Sequence, residues 1–156
     1  MKDIEYTSHN PQVKWKRLEN NDFPLPAYQS VGAAGFDLQA FTNGRTIPIH
    51  PGEKRIIRTG FAIAIPDGVE LQIRPRSGIA IKNEIIILNS PGTIDCDYRG
   101  EIMLGFKNLS EETFKVEHGM RVAQGVFALV YKFQFVEVDD LTETERGTGG
   151  FGSTGV

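Results

Sequence analysis

A chain of 156 residues with ordinary apolar content fits one domain that buries roughly 70% of its unfolded surface, which excludes wholesale disorder. Its 17 Lys and Arg against 20 Asp and Glu give a net charge of −3, the wrong sign for a general nucleic-acid binder but no bar to a local arginine cluster for a small anion. Cys96 is the single cysteine, so no intrachain disulfide is possible; with no apolar signal core at the start and no membrane-length apolar run, a soluble, cytoplasmic protein in a reducing compartment is expected.

In chain order, the first 30 residues carry no chemical signal, and an edge strand or a subunit contact is their expected use. Ala34-Gly35-Phe36-Asp37-Leu38 sets one acid among apolar residues, which alone reads as a turn former at a strand end. Val69, Leu71 and Ile73 alternate with Glu70, Gln72 and Arg74, the period of a half-buried strand. Arg74-Pro75-Arg76-Ser77-Gly78-Ile79-Ala80 ends that strand at Pro75 and offers Ser77 as the N-cap of a single helical turn. It is either a capped turn with a surface arginine or a phosphate site.

Asn89-Ser90-Pro91-Gly92-Thr93-Ile94-Asp95-Cys96-Asp97-Tyr98-Arg99-Gly100 lies between two strand patterns and reads as a hairpin. Its aspartates either cap backbone amides or supply a general base, with Tyr98 stacking on a ligand; spacing leaves both open. Ile102, Leu104 and Phe106 alternate with polar neighbours, and alternation resumes from Ala123 to Phe135, enough for one long strand or two joined ones. Arg121 and Gln124 head that run as edge groups or phosphate donors. Pro-Gly, Asn-Gly and His-Gly steps divide the runs, so an all-β sandwich, jelly roll or barrel is predicted.

The sequence turns polar at about Asp139 and then glycine-rich in Arg146-Gly147-Thr148-Gly149-Gly150-Phe151-Gly152-Ser153-Thr154-Gly155. Such ends are usually disordered. No Gly-Lys-Ser/Thr follows, which excludes a P-loop.

Taken together, AGFDLQA, PRSGIA, Asn89 with GTIDCDYRGE, RVAQ and RGTGGFGSTG resemble, in order, the five motifs of the trimeric dUTPases. The resemblance covers Ala34 to Gly155. It implies a distorted β jelly roll, the dUTPase-like β-clip, assembled as a homotrimer. Residues 1–138 would form the jelly roll and 139–156 a flexible arm closing over a neighbouring subunit's active site. The implied reaction is hydrolysis of dUTP to dUMP and pyrophosphate with Mg²⁺, which limits uracil in DNA and supplies dUMP for dTMP synthesis.

By that likeness Asp95 is the general base on the attacking water. Tyr98 excludes a 2′-hydroxyl, and Asn89, Thr93, Ile94 and Met103 read the uracil. Arg76, Ser77, Gly78 and Gln124 hold phosphates, and from the arm Arg146 contacts the γ-phosphate while Phe151, beside Gly152, stacks on uracil. Asp37 orders metal-bound water or Arg76, with Mg²⁺ held mainly by substrate phosphates rather than by direct protein ligands. The nearest alternative is the fold-sharing dCTP deaminase, which resembles this chain except that Gly105 stands where that family carries a catalytic Glu. A trimeric regulatory or binding protein is the other; no protein partner is identified, and neither nucleic acid nor a membrane is expected as one.

Overall fold

The computed structural model describes residues 11–150. Ten strands and one short helix follow one another as β1 Lys14–Arg17, β2 Phe36–Gln39, β3 Ile47–Ile49, β4 Lys54–Ala64, β5 Val69–Pro75, α1 Ser77–Asn83, β6 Ile85–Ile87, β7 Gly92–Ile94, β8 Glu101–Asn108, β9 Phe114–Val116 and β10 Arg121–Leu129. They build two four-stranded sheets, ordered β1-β4-β8-β6 and β2-β10-β5-β7, with a β3-β9 pair beside them. Every pairing is antiparallel.

The alternating patterns become the inner faces of the two sheets. Leu71 and Ile73 of β5 and Ile102, Leu104 and Phe106 of β8 are buried together with Leu38, Ile57 and Val122. Each such side chain contributes about 1.5–3 kcal/mol by leaving water. The first residues do supply an edge strand: β1 pairs with β4 from Lys14 against Ala64 to Arg17 against Phe61. Trp15 then meets Phe36 and Phe61 edge-on, both at 5.7 Å, a favoured quadrupole geometry.

Strand β4 keeps register with β8 from Lys54 to Arg58 and then loses it, so that Ala62 faces Glu101. Four steps on β4 thus oppose two on β8, a bulge centred on Gly60, whose φ is +70°. A side chain there would be strained by the backbone and would also collide with Asn21 and Phe41.

Three local expectations are corrected. The alternation from Ala123 to Phe135 yields a strand only to Leu129: after Val130 N–H meets the Gly68 carbonyl, no strand among the described residues pairs with the stretch, and Tyr131, Phe133 and Phe135 are exposed. Ser77 is the first helical residue rather than the cap, a position held by Arg76 without a side-chain cap bond. The 89–100 stretch is not a simple hairpin: β7 pairs with β5 and β8 with β4 and β6, so residues 95–100 cross from one sheet to the other. No helix among the described residues is long and apolar enough to cross a membrane.

Candidate active site

Two clusters of chemistry leave opposite ends of β5. At the end near Pro75, Asp37 on β2 sits directly across from Gln124 on β10, which on its other side faces Arg74 of β5. Cross-strand partners share a face, so Asp37 and Gln124 are neighbours. The register of β10 slips against β2 between Arg121 and Ala123, burying both Val122 and Ala123. Residues three apart on a regular strand face opposite sides; the slip puts Arg121 and Gln124 on the same one.

Asp37 is consequently held between two arginines. Its Oδ1 lies 2.8 Å from Arg76 Nε and its Oδ2 3.2 Å from Arg121 Nη1. Arg76 also donates to the Arg121 carbonyl at 3.0 Å, and the Gln124 amide donates to the Pro75 carbonyl at 3.0 Å. The turn before Arg121 is tied to β2 by Gly119 N–H to the Ala40 carbonyl and Ala40 N–H to the Met120 carbonyl, both 2.9 Å. Gly35 leaves room for Gln124, whose Oε1 would lie 3.0 Å from a Cβ there. Ser77 and Gly78, both exposed, open the first turn of α1 beside Arg76. Two guanidiniums, a hydroxyl and an amide around one carboxylate form a setting for a polyanion.

At the other end, Ile94 faces Leu71, and the chain leaves the sheet at Asp95. This carboxylate is exposed and takes part in no hydrogen bond or ion pair among the described residues, which leaves both oxygens available to accept from water. Asn89 packs against Gly92, where a Cβ would come within 3.1 Å of its amide. Tyr98 N–H closes a turn on the Asp95 carbonyl at 3.1 Å, and the Tyr98 hydroxyl donates to the Glu101 carbonyl at 2.9 Å. The ring lies over Gly100, where a Cβ would stand 2.6 Å from Tyr98 Cζ. Thr93 and Met103 are exposed and Ile94 half-buried around this loop.

The chain does not bring the two clusters together. Asp95 departs beside Glu70 and Arg76 beside Pro75, six residue steps apart on an extended strand, or roughly 20 Å. The described part of the arm, to residue 150, joins neither: Arg146 Nε donates to the Gly149 carbonyl at 2.8 Å, and the remaining hydrogen bonds of this stretch are local turns. Phe151 and Gly152 lie outside the described residues. Among those described, no group of three or more His, Cys, Asp or Glu side chains is gathered to cage a metal ion. The sequence assigns no role to Arg58 or to Glu101, although Glu101 closes the GTIDCDYRGE stretch, because a charged residue on the polar phase of an alternating strand reads as ordinary solvation.

The family model for dUTPase matches residues 21–155. The chain belongs to the dUTPase family. A deoxyuridine 5'-triphosphate nucleotidohydrolase of Caulobacter vibrioides is 53% identical over 146 residues, covering 92% of this chain and 94% of that protein. Its counterpart from Rickettsia felis is 54% identical over 145 residues, covering 93% and 97%. Among solved structures, the Staphylococcus bacteriophage 80alpha dUTPase with dUPNHPP aligns at a TM-score of 0.83 with 26% identity, over 93% of this chain and 99% of that one. The first four dUTPase-like motifs therefore sit on a mostly β fold shared with dUTPases.

Proposed function

We propose that this chain is a hydrolase that converts dUTP to dUMP and pyrophosphate, acting as a homotrimer with Asp95 as the general base. The observation that carries this reading is the exposed, partnerless Asp95 carboxylate on the loop that also bears Tyr98, in a member of the dUTPase family. Water bound to Asp95 forms a bond to the α-phosphorus, the bond to the bridging oxygen of the leaving pyrophosphate breaks, and the water proton passes to the carboxylate. Placement of the water and neutralisation of the phosphate charge supply most of the remaining acceleration.

The roles divide as the clusters do. Arg76, Ser77, Gly78 and Gln124 hold the phosphates; Arg121, paired to the same Asp37 carboxylate, is added to that set. Asn89, Thr93, Ile94 and Met103 read the uracil, and Tyr98 packs on the deoxyribose and refuses a 2′-hydroxyl. With its two oxygens occupied by arginines, Asp37 fits a role in orienting Arg76 and a metal-bound water. Mg²⁺ would be held mainly by the triphosphate oxygens, keeping several waters, and would neutralise charge there.

A separation of roughly 20 Å along β5 supports a site completed between subunits, because one protomer cannot bring Asp95 to phosphates held by its own Arg76. Residues 139–156 act as the arm that supplies Arg146 and Phe151 to a neighbour, and its glycines permit close wrapping around phosphates. Deamination of dCTP is not favoured: Gly105, which faces Ile56 across the β4–β8 ladder, offers no side chain at the position where an acid would be needed. In the cytoplasm the reaction would lower dUTP and supply dUMP.

The test is pyrophosphate release with Mg²⁺ from dUTP, dCTP, dTTP and UTP in parallel. Release from dUTP alone is expected. Equal release from UTP would remove the sugar-filter role from Tyr98, and no release from any of them would overturn the reading.

A further inference from the structure

We infer that Glu101 is a positioning residue that sets the Tyr98 ring and thereby the enzyme's discrimination between deoxyribose and ribose; this rests on the dUTP-hydrolase reading above. Glu101 has two ends with two tasks. Its carboxylate reaches into the β4 bulge, accepting from Gly60 N–H through Oε1 and from Arg58 Nε through Oε2, both at 2.8 Å. Its backbone carbonyl accepts the Tyr98 hydroxyl at 2.9 Å.

The bulge is what makes the carboxylate necessary. Register slip between Arg58 and Ala62 takes the Gly60 N–H out of the ladder, and Gly60 is buried. A buried donor must find an acceptor, and a carboxylate gives it a charge-assisted one. Only 12% of the Glu101 side chain is exposed, so water does not readily take its place.

Arg58 completes the clamp. It pairs with Glu19 as well as Glu101 and lies over the Phe41 ring at 5.8 Å. Two anions and an aromatic face fix the guanidinium, and the guanidinium fixes Glu101. The first residue of β8 is thereby pinned to β4, and the Tyr98 hydroxyl is pinned to that residue's carbonyl. Gly100 lets the ring lie flat against the chain between them. Loss of the carboxylate frees the carbonyl to shift, and the ring with it, while the phosphate cluster keeps its own supports.

The experiment measures kcat and KM for dUTP and for UTP in the full-length protein and in Glu101→Gln, Glu101→Ala and Tyr98→Phe. Glu101→Ala is expected to lower the dUTP-to-UTP ratio of kcat/KM at least ~10-fold, since a displaced ring opens space for the 2′-hydroxyl. Glu101→Gln retains an acceptor for Gly60 and should recover most of that ratio. Tyr98→Phe keeps the ring, loses its bond to the Glu101 carbonyl, and should shift the ratio in the same direction; it also serves if Glu101→Ala does not fold. Combined with Glu101→Ala it should add little. Equal loss of both substrates' kcat/KM in the Glu101 variants, or an unchanged ratio in Tyr98→Phe, overturns the proposal. Failure of the unaltered protein to hydrolyse dUTP overturns instead the reading on which it rests.

Discussion

The Asp37 carboxylate meets the Arg76 guanidinium at 2.8 Å across the whole width of β10, which separates their strands in the sheet. The contact joins residues from the two flanks of one strand, and Arg121 at the head of that strand meets the same carboxylate. Three chain segments thus agree on the position of one pair of positive charges.

Replacing Asp37 with Asn should therefore cost little stability and much efficiency. The arginine side chains are 34% and 54% exposed, so solvent screening holds the stability loss to about 1 kcal/mol or less. Misdirected guanidiniums should lower kcat/KM for dUTP by ~10- to 100-fold. Urea denaturation and steady-state kinetics on the same preparation check both halves; a large loss of stability with intact efficiency would reverse the assignment.

For Asp95→Asn, folding and nucleotide binding should be unchanged, since the exposed carboxylate supports no other group. Turnover should drop by roughly 10²–10⁴-fold, the usual contribution of a general base. Single-turnover hydrolysis beside equilibrium binding of a non-hydrolysable dUTP analogue separates the two effects, and near-normal turnover would remove Asp95 from the role.

Asp95→Asn and Arg76→Ala proteins, each expected to be nearly inactive, should regain activity when unfolded together and refolded as a mixture. Sites that draw Asp95 from one copy and Arg76 from another then arise with both residues intact. No recovery in mixed trimers would mean that a single protomer supplies both. Deletion from Glu145 onward should likewise abolish dUTP turnover while size-exclusion chromatography still reports the trimer; full activity of the truncated protein would leave the arm without a task.

Gly60→Ala should be strongly destabilising. The left-handed φ of +70° costs a side chain about 1–2 kcal/mol. A Cβ only 2.6 Å from Asn21 Nδ2 and 2.8 Å from Phe41 Cγ adds about 1–3 kcal/mol of overpacking. The denaturation midpoint reports the sum, and a change below about 1 kcal/mol would mean that the bulge relaxes freely.

Stability should also weaken in acid partly through Glu19. The hydrogen bond from Arg58, aided by one from Asn43, holds its carboxyl below the usual glutamate value. A depressed folded-state value stabilises the fold above the unfolded value, about 4.3, and the effect is lost as pH falls through the lower folded value. In Glu19→Gln, the slope of denaturation midpoint against pH in that acid window should be shallower than in the parent.

What could be read from the sequence was whatever is written locally. The strands carrying Leu71 and Ile73, and Ile102, Leu104 and Phe106, announce themselves by alternation, because one face of each is buried and the other is not. Pairing is not local, so the 89–100 stretch looked like a hairpin although its flanking strands belong to different sheets. The same blindness extended β10 to Phe135, since apolar alternation says that a strand wants a partner but not whether this chain contains one. Motif order brought out Asp95, Tyr98 and Arg76 as candidates. Glu101 closes the GTIDCDYRGE motif and Arg58 lies in a strand, but their contact comes from a bulge two strands wide, and no run of residues encodes where a ladder slips.

Beyond Leu129, the exposed Tyr131, Phe133, Phe135, Val136, Val138 and Leu141 give a lone protomer a sticky apolar tail. Such a segment is a template for wrong pairing as readily as for right pairing. If the chain assembles as the proposed homotrimer, burying this tail between protomers would take the template away. Under that proposal, a variant that folds but cannot assemble should appear first as turbidity in concentrated solution.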